Sequence, residues 1–195
     1  MTRVRSVSKR FARRQLRRLS HHSWVAARLF YRLHGHSLEG GSDDLVWYFA
    51  YGSNLDPCTF IARRGMHPRA ARVGCVSGYK LRFNLDGRPL GRAAPANIAP
   101  APGATVWGVA YQITRRELVR LDSTEGVPGG NYRHVGLSCD TQDGEVLPVL
   151  TYIAAGNPVD GRPSLRYLTL LRDGARTHGL PDEWIQFLDD VTPAQ

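Results

Sequence analysis

The stretch Tyr48-Phe49-Ala50-Tyr51-Gly52-Ser53-Asn54-Leu55 runs a short apolar strand directly into a turn of small and polar residues. A backbone that leaves a sheet in this way exposes amides. Gly52 permits close approach of a ligand or a positive φ, and the hydroxyls of Tyr51 and Ser53 with the amide of Asn54 supply donors and acceptors around the bend. The turn can hold a small polar substrate, although the same residue types also serve as plain strand punctuation. Asp56-Pro57 follows, an N-cap acid with proline at the first helical position. The pair predicts a short helix through Arg64, closed by Gly65 in the left-handed conformation.

Working outward, the strand before the turn begins at Leu45, and further strands are expected at 71–76, 79–85, 95–99 and 105–113. Thr114-Arg115-Arg116-Glu117 reads as a capping box, so a helix should run from Arg115 to Asp122 with Leu118 and Leu121 inward. Strands near 132–138 and 145–154 follow, joined by a turn at Gln142-Asp143-Gly144. A helix from Leu165 to His178 should place Leu165, Leu168, Leu171 and Ala175 on one buried stripe and stop at Gly179. The last helix opens with Pro181 and should bury Trp184, Ile185 and Leu188. Strands and helices interleave without regular βα alternation, which implies an α+β domain with a mixed sheet.

At 195 residues and 42% hydrophobic content the chain can form one ordinary domain with a single core. Cys58, Cys75 and Cys139 are odd in number and widely spaced, suggesting neither a disulfide framework nor a zinc site, and a reducing compartment. The longest charge-free stretch, Ala93 to Thr114, contains Pro95, Pro100 and Pro102, so no spanning helix is expected. The net charge of +9 divides unevenly: residues 1–38 hold ten Lys/Arg and no acid, leaving 16 basic against 17 acidic residues beyond them. The body is nearly neutral, so no specific nucleic-acid surface follows from the charge. From Ser8 to Leu33 the arm reads as a basic amphipathic helix carrying Phe11, Leu16, Leu19, Val25, Leu29, Phe30 and Leu33. Such a helix suits an anionic membrane surface, an acidic partner or a nucleic acid, and also resembles an organelle transit peptide; a frayed tail is the plainer alternative. The sequence divides into a basic arm and linker over 1–44 and a domain over 45–195, with the cytoplasm as the expected location unless the arm directs it elsewhere.

Leu121-Asp122-Ser123-Thr124-Glu125-Gly126-Val127-Pro128-Gly129-Gly130-Asn131-Tyr132 puts an acid where a helix dissolves into a glycine-rich loop. Glu125 is the candidate acid/base. Gly126 lets a substrate approach, and flanking Val127 and Pro128 could desolvate the carboxyl and raise its pKa toward the range of a proton shuttle. A solvated loop glutamate is the alternative, and Asp122 reads as an acid serving the following turn. His21-His22 and His34/His36 lack the acids or thiolates that complete a metal site, and no spacing orients Cys58 with His67 or Cys139 with His134. Buried structural cysteines are expected. Walker, H-E-x-x-H and G-x-S-x-G motifs are absent.

Together, Y-F-A-Y-G-S-N-L at 48–55 and L-D-S-T-E-G-V-P-G-G-N-Y at 121–132 resemble the γ-glutamylcyclotransferase family, and the likeness continues through Val106-Trp107-Gly108-Val109, Pro163-Ser164-Leu165-Arg166-Tyr167 and Gly179-Leu180-Pro181. The resemblance implies a small mixed β-barrel with peripheral helices, using no metal or cofactor, with a homodimer compatible with it. It also implies that Tyr51, Gly52, Ser53, Asn54 and Leu55 bind a glutamyl group, that Glu125 is the acid/base, and that Tyr132 and Tyr167 line the pocket. The implied reaction cyclises a γ-glutamyl amide or peptide to 5-oxoproline and releases the attached amine or amino acid. γ-Glutamylamines and glutathione are alternative substrates; glutathione-specific relatives usually lack the asparagine found here at Asn54. A non-enzymatic protein that uses its basic arm on a membrane or nucleic acid is the reading from a different class.

Overall fold

The computed structural model describes residues 23–33, 39–87, 94–127 and 130–194. Most of the expected arm helix, the four arm histidines, Pro128 and Gly129 lie outside them. The described elements are helix α1 (Trp24–Arg32), strand β1 (Leu45–Ala50), a 3-10 turn (Ser53–Leu55), a π-helical turn (Cys58–Arg63), β2 (Ala70–Arg82), β3 (Asn97–Thr114), α2 (Arg115–Glu125), β4 (Arg133–Thr141), β5 (Val146–Ile153), α3 (Leu165–His178) and α4 (Asp182–Asp190).

The five strands close into a barrel in the order β1-β3-β2-β4-β5. Four pairings are antiparallel where strands meet, and one parallel contact, Trp47 opposite Val149 and Tyr48 opposite Leu150, seals β5 to β1. Closure removes the free sheet edges that would otherwise invite pairing with other chains. The interior is filled by Phe49, Val76, Ile98, Val106, Val109, Ile113 and Val149, each at most 2% exposed.

Two pairs of expected strands are in fact two long ones. β2 takes in 71–76 and part of 79–85, and β3 takes in part of 95–99 and all of 105–113, because the breaks are bulges within continuous pairing. Ser77 faces Thr105 and Tyr79 faces Pro100, so Gly78 stands opposite an excursion of the partner through Gly103. The expected capping box forms: Thr114 Oγ1 accepts from Glu117 N at 3.2 Å, and Glu117 Oε2 accepts from Thr114 N at 2.8 Å. Glu117 Oε1 also receives the His67 amide at 2.8 Å, which ties the chain after the π-helical turn to the start of α2. As expected, Leu118 and Leu121 point into the core.

Several expectations needed correction. The helix α2 continues to Glu125, so this carboxylate ends a helix rather than sitting in a loop. Leu165 is 58% exposed because it occupies the first, outward position of α3, while Leu168, Leu171 and Ala175 are fully buried. Cys58 is exposed and only Cys139 is buried. Of the final helix, Leu188 alone is fully buried; Trp184 and Ile185 pack on the rim of the core. The described part of the arm is not detached: α1 buries Ala27, Phe30 and Tyr31 against Val119 of α2. Among the described residues no helix is long and apolar enough to cross a membrane.

Candidate active site

β1 delivers Tyr48 to the barrel end, and the chain then bends through Gly52 into the 3-10 turn, with Leu55 N donating to Gly52 O at 2.9 Å. The turn is held from α3. Tyr167 Oη accepts from the Ser53 amide and from Ala96 N, the latter at 3.1 Å. A Cβ on residue 52 would lie 3.0 Å from that same hydroxyl, so the glycine allows the tyrosine to close over the bend. Asn54 is buried, donates from Nδ2 to Tyr48 Oη at 2.8 Å, and hydrogen-bonds the Glu125 carboxylate. Its Oδ1 is buried and meets no donor among the described residues.

The capping box starts α2 so that its last residue, Glu125, arrives opposite this turn, and Gly126, at φ 73°, ends the helix there. The Glu125 side chain is 17% exposed, and Arg64 Nη2 lies 3.1 Å from its Oε1. Arg64 also donates to Thr124 Oγ1. Burial pushes the Glu125 carboxyl above the ordinary carboxylate range; Arg64 and the Asn54 amide pull it down, and Asp122 pushes it up. The upward direction matches the sequence expectation. Tyr48, Tyr132, Tyr152 and Tyr167 wall the space that it faces.

A small inner pocket of about 40 Å³ is lined by Tyr48, Tyr51, Gly52, Ser53, Asn54, Ala96, Glu125, Tyr132, Tyr152 and Tyr167. Ser53, Glu125, Tyr132 and Tyr167 also border an outer cavity of about 730 Å³, walled by Arg64, Asn84, Asp86, Asn131 and Asn157 among others. The inner pocket thus opens outward past the carboxylate. Burial raises the Tyr48, Tyr132 and Tyr152 phenols, and pushes Tyr167 up to about 12, so all four remain neutral through the physiological range.

Of the residues expected at the site, Tyr51, Gly52, Ser53, Asn54, Glu125, Tyr132 and Tyr167 come together around this pocket. Leu55 does not: it is fully buried in the core, and its amide is spent on the turn. Tyr51 contributes its ring while its hydroxyl donates to Tyr152 O at 2.5 Å. Sequence reasoning missed Arg64, Tyr48 and Tyr152. Tyr48 stood inside the quoted strand, yet nothing local marked it apart from a core aromatic. Asp122, read as an acid serving the next turn, is instead fully buried and accepts from Tyr152 Oη at 2.5 Å.

Residues 105–188 match the AIG2-like family. The chain is 32% identical to the γ-glutamylcyclotransferase of Mus musculus over 165 residues, covering 82% of this chain and 84% of that protein. It is 31% identical to the γ-glutamylcyclotransferase of Homo sapiens over 161 residues, covering 79% and 82% respectively. A solved structure of a γ-glutamyl cyclotransferase superposes with a TM-score of 0.69 at 29% identity, over 78% of this chain and 90% of that one. With the barrel, the glycine turn and the helix-end glutamate on one pocket, the chain belongs to the γ-glutamylcyclotransferase family and is an enzyme of that type.

Proposed function

We propose that the protein cyclises the γ-glutamyl group of a γ-glutamyl amide or peptide to 5-oxoproline, with Glu125 carrying the proton. The observation that carries this reading is the Glu125 carboxyl itself, raised by burial, 3.1 Å from Arg64 and facing the turn at 51–54. The substrate's α-amine attacks its own γ-carbonyl carbon, the new C–N bond closes a five-membered lactam, and the bond to the attached nitrogen breaks. Nucleophile and electrophile belong to one molecule, so neither water nor an external nucleophile is consumed.

The protein's main task is then to hold a flexible glutamyl chain in its attack conformation. Well-oriented intramolecular reactions gain on the order of 7–11 kcal/mol from such placement. The inner pocket suits the glutamyl end, and the spare acceptor on Asn54 suits its ammonium. Glu125 removes a proton from that ammonium, and the same carboxylic acid returns it to the departing nitrogen, a transfer worth roughly 10²–10⁴-fold. Charge developing on the carbonyl oxygen falls to the turn amides other than Ser53 N, which Tyr167 already occupies, and Leu55 N, which is spent on Gly52 O. The departing group lies in the outer cavity, whose Asn84, Asn131 and Asn157 amides suit a polar amine or amino acid.

A panel of γ-glutamyl donors tests this, comprising γ-glutamyl amino acids, γ-glutamylamines and glutathione, with products separated by chromatography. The expected result is 5-oxoproline in equal amount to the released amine for at least one donor. Release of glutamate would instead mean hydrolysis and overturn the cyclisation.

A further inference from the structure

Asp122 sits one helical turn before Glu125 and is fully buried. A buried carboxylate is tolerated only when donors replace its lost water. Three side chains from three separate elements supply them. Tyr152 Oη of β5 donates to Oδ1 at 2.5 Å, His134 Nε2 of β4 lies 2.6 Å from the same oxygen, and Tyr31 Oη of α1 donates to Oδ2. The first of these reaches the pocket directly, because Tyr152 lines it and accepts the Tyr51 hydroxyl on its carbonyl. The tyrosine from α1 is held in place by the burial of Ala27, Phe30 and its own ring against Val119. Helix α1 therefore reaches the wall of the pocket through Tyr31 and Asp122.

We propose that Tyr31 is a positioning residue for the cyclotransferase reaction: docking of α1 completes the donor set of Asp122, which fixes Tyr152 and sets the negative charge presented to Glu125. This rests on the reading of Glu125 as the proton carrier. Glu125 is faced by Arg64 from the π-helical turn, Tyr51 and Asn54 from the bend and 3-10 turn, Tyr48 from β1, Tyr152 from β5, Tyr167 from α3, Tyr132 ahead of β4, and Asp122 on its own helix. His134 is the titratable neighbour of Asp122. Of these groups, Asp122 loses a donor when the Tyr31 hydroxyl is removed, and Tyr152 is affected through its own bond to Asp122. With one donor fewer, Asp122 presents more negative charge, which favours protonated Glu125.

Full-length Tyr31→Phe is the test, assayed with the best γ-glutamyl donor across pH beside Phe30→Leu, Glu125→Gln and the surface control Val25→Ser. Tyr31→Phe should lower kcat about threefold to tenfold with KM nearly unchanged, and move the acid limb of kcat/KM to higher pH. Phe30→Leu, which loosens the same helix but keeps the hydroxyl, should lower Tm without moving that limb. A Tyr31→Phe enzyme with wild-type kcat and pH profile, beside an inert Glu125→Gln, would overturn the role of Tyr31 alone. An active Glu125→Gln would overturn the proton-carrier reading on which it rests. Should Tyr31→Phe not fold, Tyr152→Phe removes a second donor from the same carboxylate; an unmoved acid limb there would equally overturn the proposal.

Discussion

The two strips of chain that face each other across the pocket, 48–56 and 121–127, are built on opposite principles. In the first, hydrogen-bonding capacity is largely spent within the protein: the Tyr51 hydroxyl on Tyr152 O, the Ser53 amide on Tyr167, the Leu55 amide on Gly52 O and the Asn54 amide on Tyr48. In the second, a half-buried acid is held between a cation that lowers its pKa and a buried carboxylate that raises it. One strip fixes shape and the other tunes a proton. Changes in the turn should therefore act on substrate binding, and changes around Glu125, including the Asn54 amide that reaches it from the turn, on the pH dependence.

Among changes in the turn, the largest effect is expected from Gly52→Val. Its Cβ alone would meet Tyr167 Oη at 3.0 Å, and the added methyls would force the tyrosine from the Ser53 and Ala96 amides. Steady-state kinetics should show kcat/KM down about 100-fold, a loss on the scale that roughly 1 Å of misplacement produces. Asn54→Leu comes next. It removes a hydrogen bond to Glu125 and strands the Tyr48 hydroxyl, so kcat/KM should fall about tenfold, and the acid limb should rise because one influence lowering the Glu125 pKa is gone.

Arg64→Met tests the proton side by itself. Without the guanidinium the carboxyl rises further, so kcat/KM measured across pH should lose its acid half at higher pH while ligand affinity in calorimetry changes little. If affinity collapsed with the pH profile unmoved, the division between the strips would fail. The smallest effect is on stability. A carboxyl whose folded pKa is raised binds more protons folded than unfolded, so its cost appears as pH climbs past the unfolded value of about 4.3 and is complete above the folded one. Glu125→Gln should therefore raise Tm at neutral pH and raise it less near pH 4, as thermal denaturation would report.

The same contrast explains how much was legible in the sequence. Caps and turns are local chemistry, so the Thr114–Glu117 box, the Gly179 stop and the turn at 142–144 were readable from a few neighbouring residues. The bulges of β2 and β3 were not, because whether Gly78 and Gly103 end a strand or bend one depends on a partner more than 20 residues away. At the site, Glu125 was marked by the glycine beside it and the turn by Gly52. Arg64 lies about 60 residues from Glu125, and the Tyr31 partner of Asp122 is 91 residues away, so no spacing in the chain records either contact. The arm misled for a related reason. Its charge made it look separable, yet Ala27, Phe30 and Tyr31 are the face that meets α2.

The central claim, that Glu125 carries the proton in an otherwise intact pocket, is tested most directly by measuring 5-oxoproline release and ligand binding on the same Glu125→Gln preparation. Glutamine keeps the size of the side chain and removes its titration. The account predicts 5-oxoproline formation down by about 10³-fold, within the range of a lost general base, with calorimetric affinity for a γ-glutamyl ligand within about threefold of wild type. Turnover within a few-fold of wild type would contradict it.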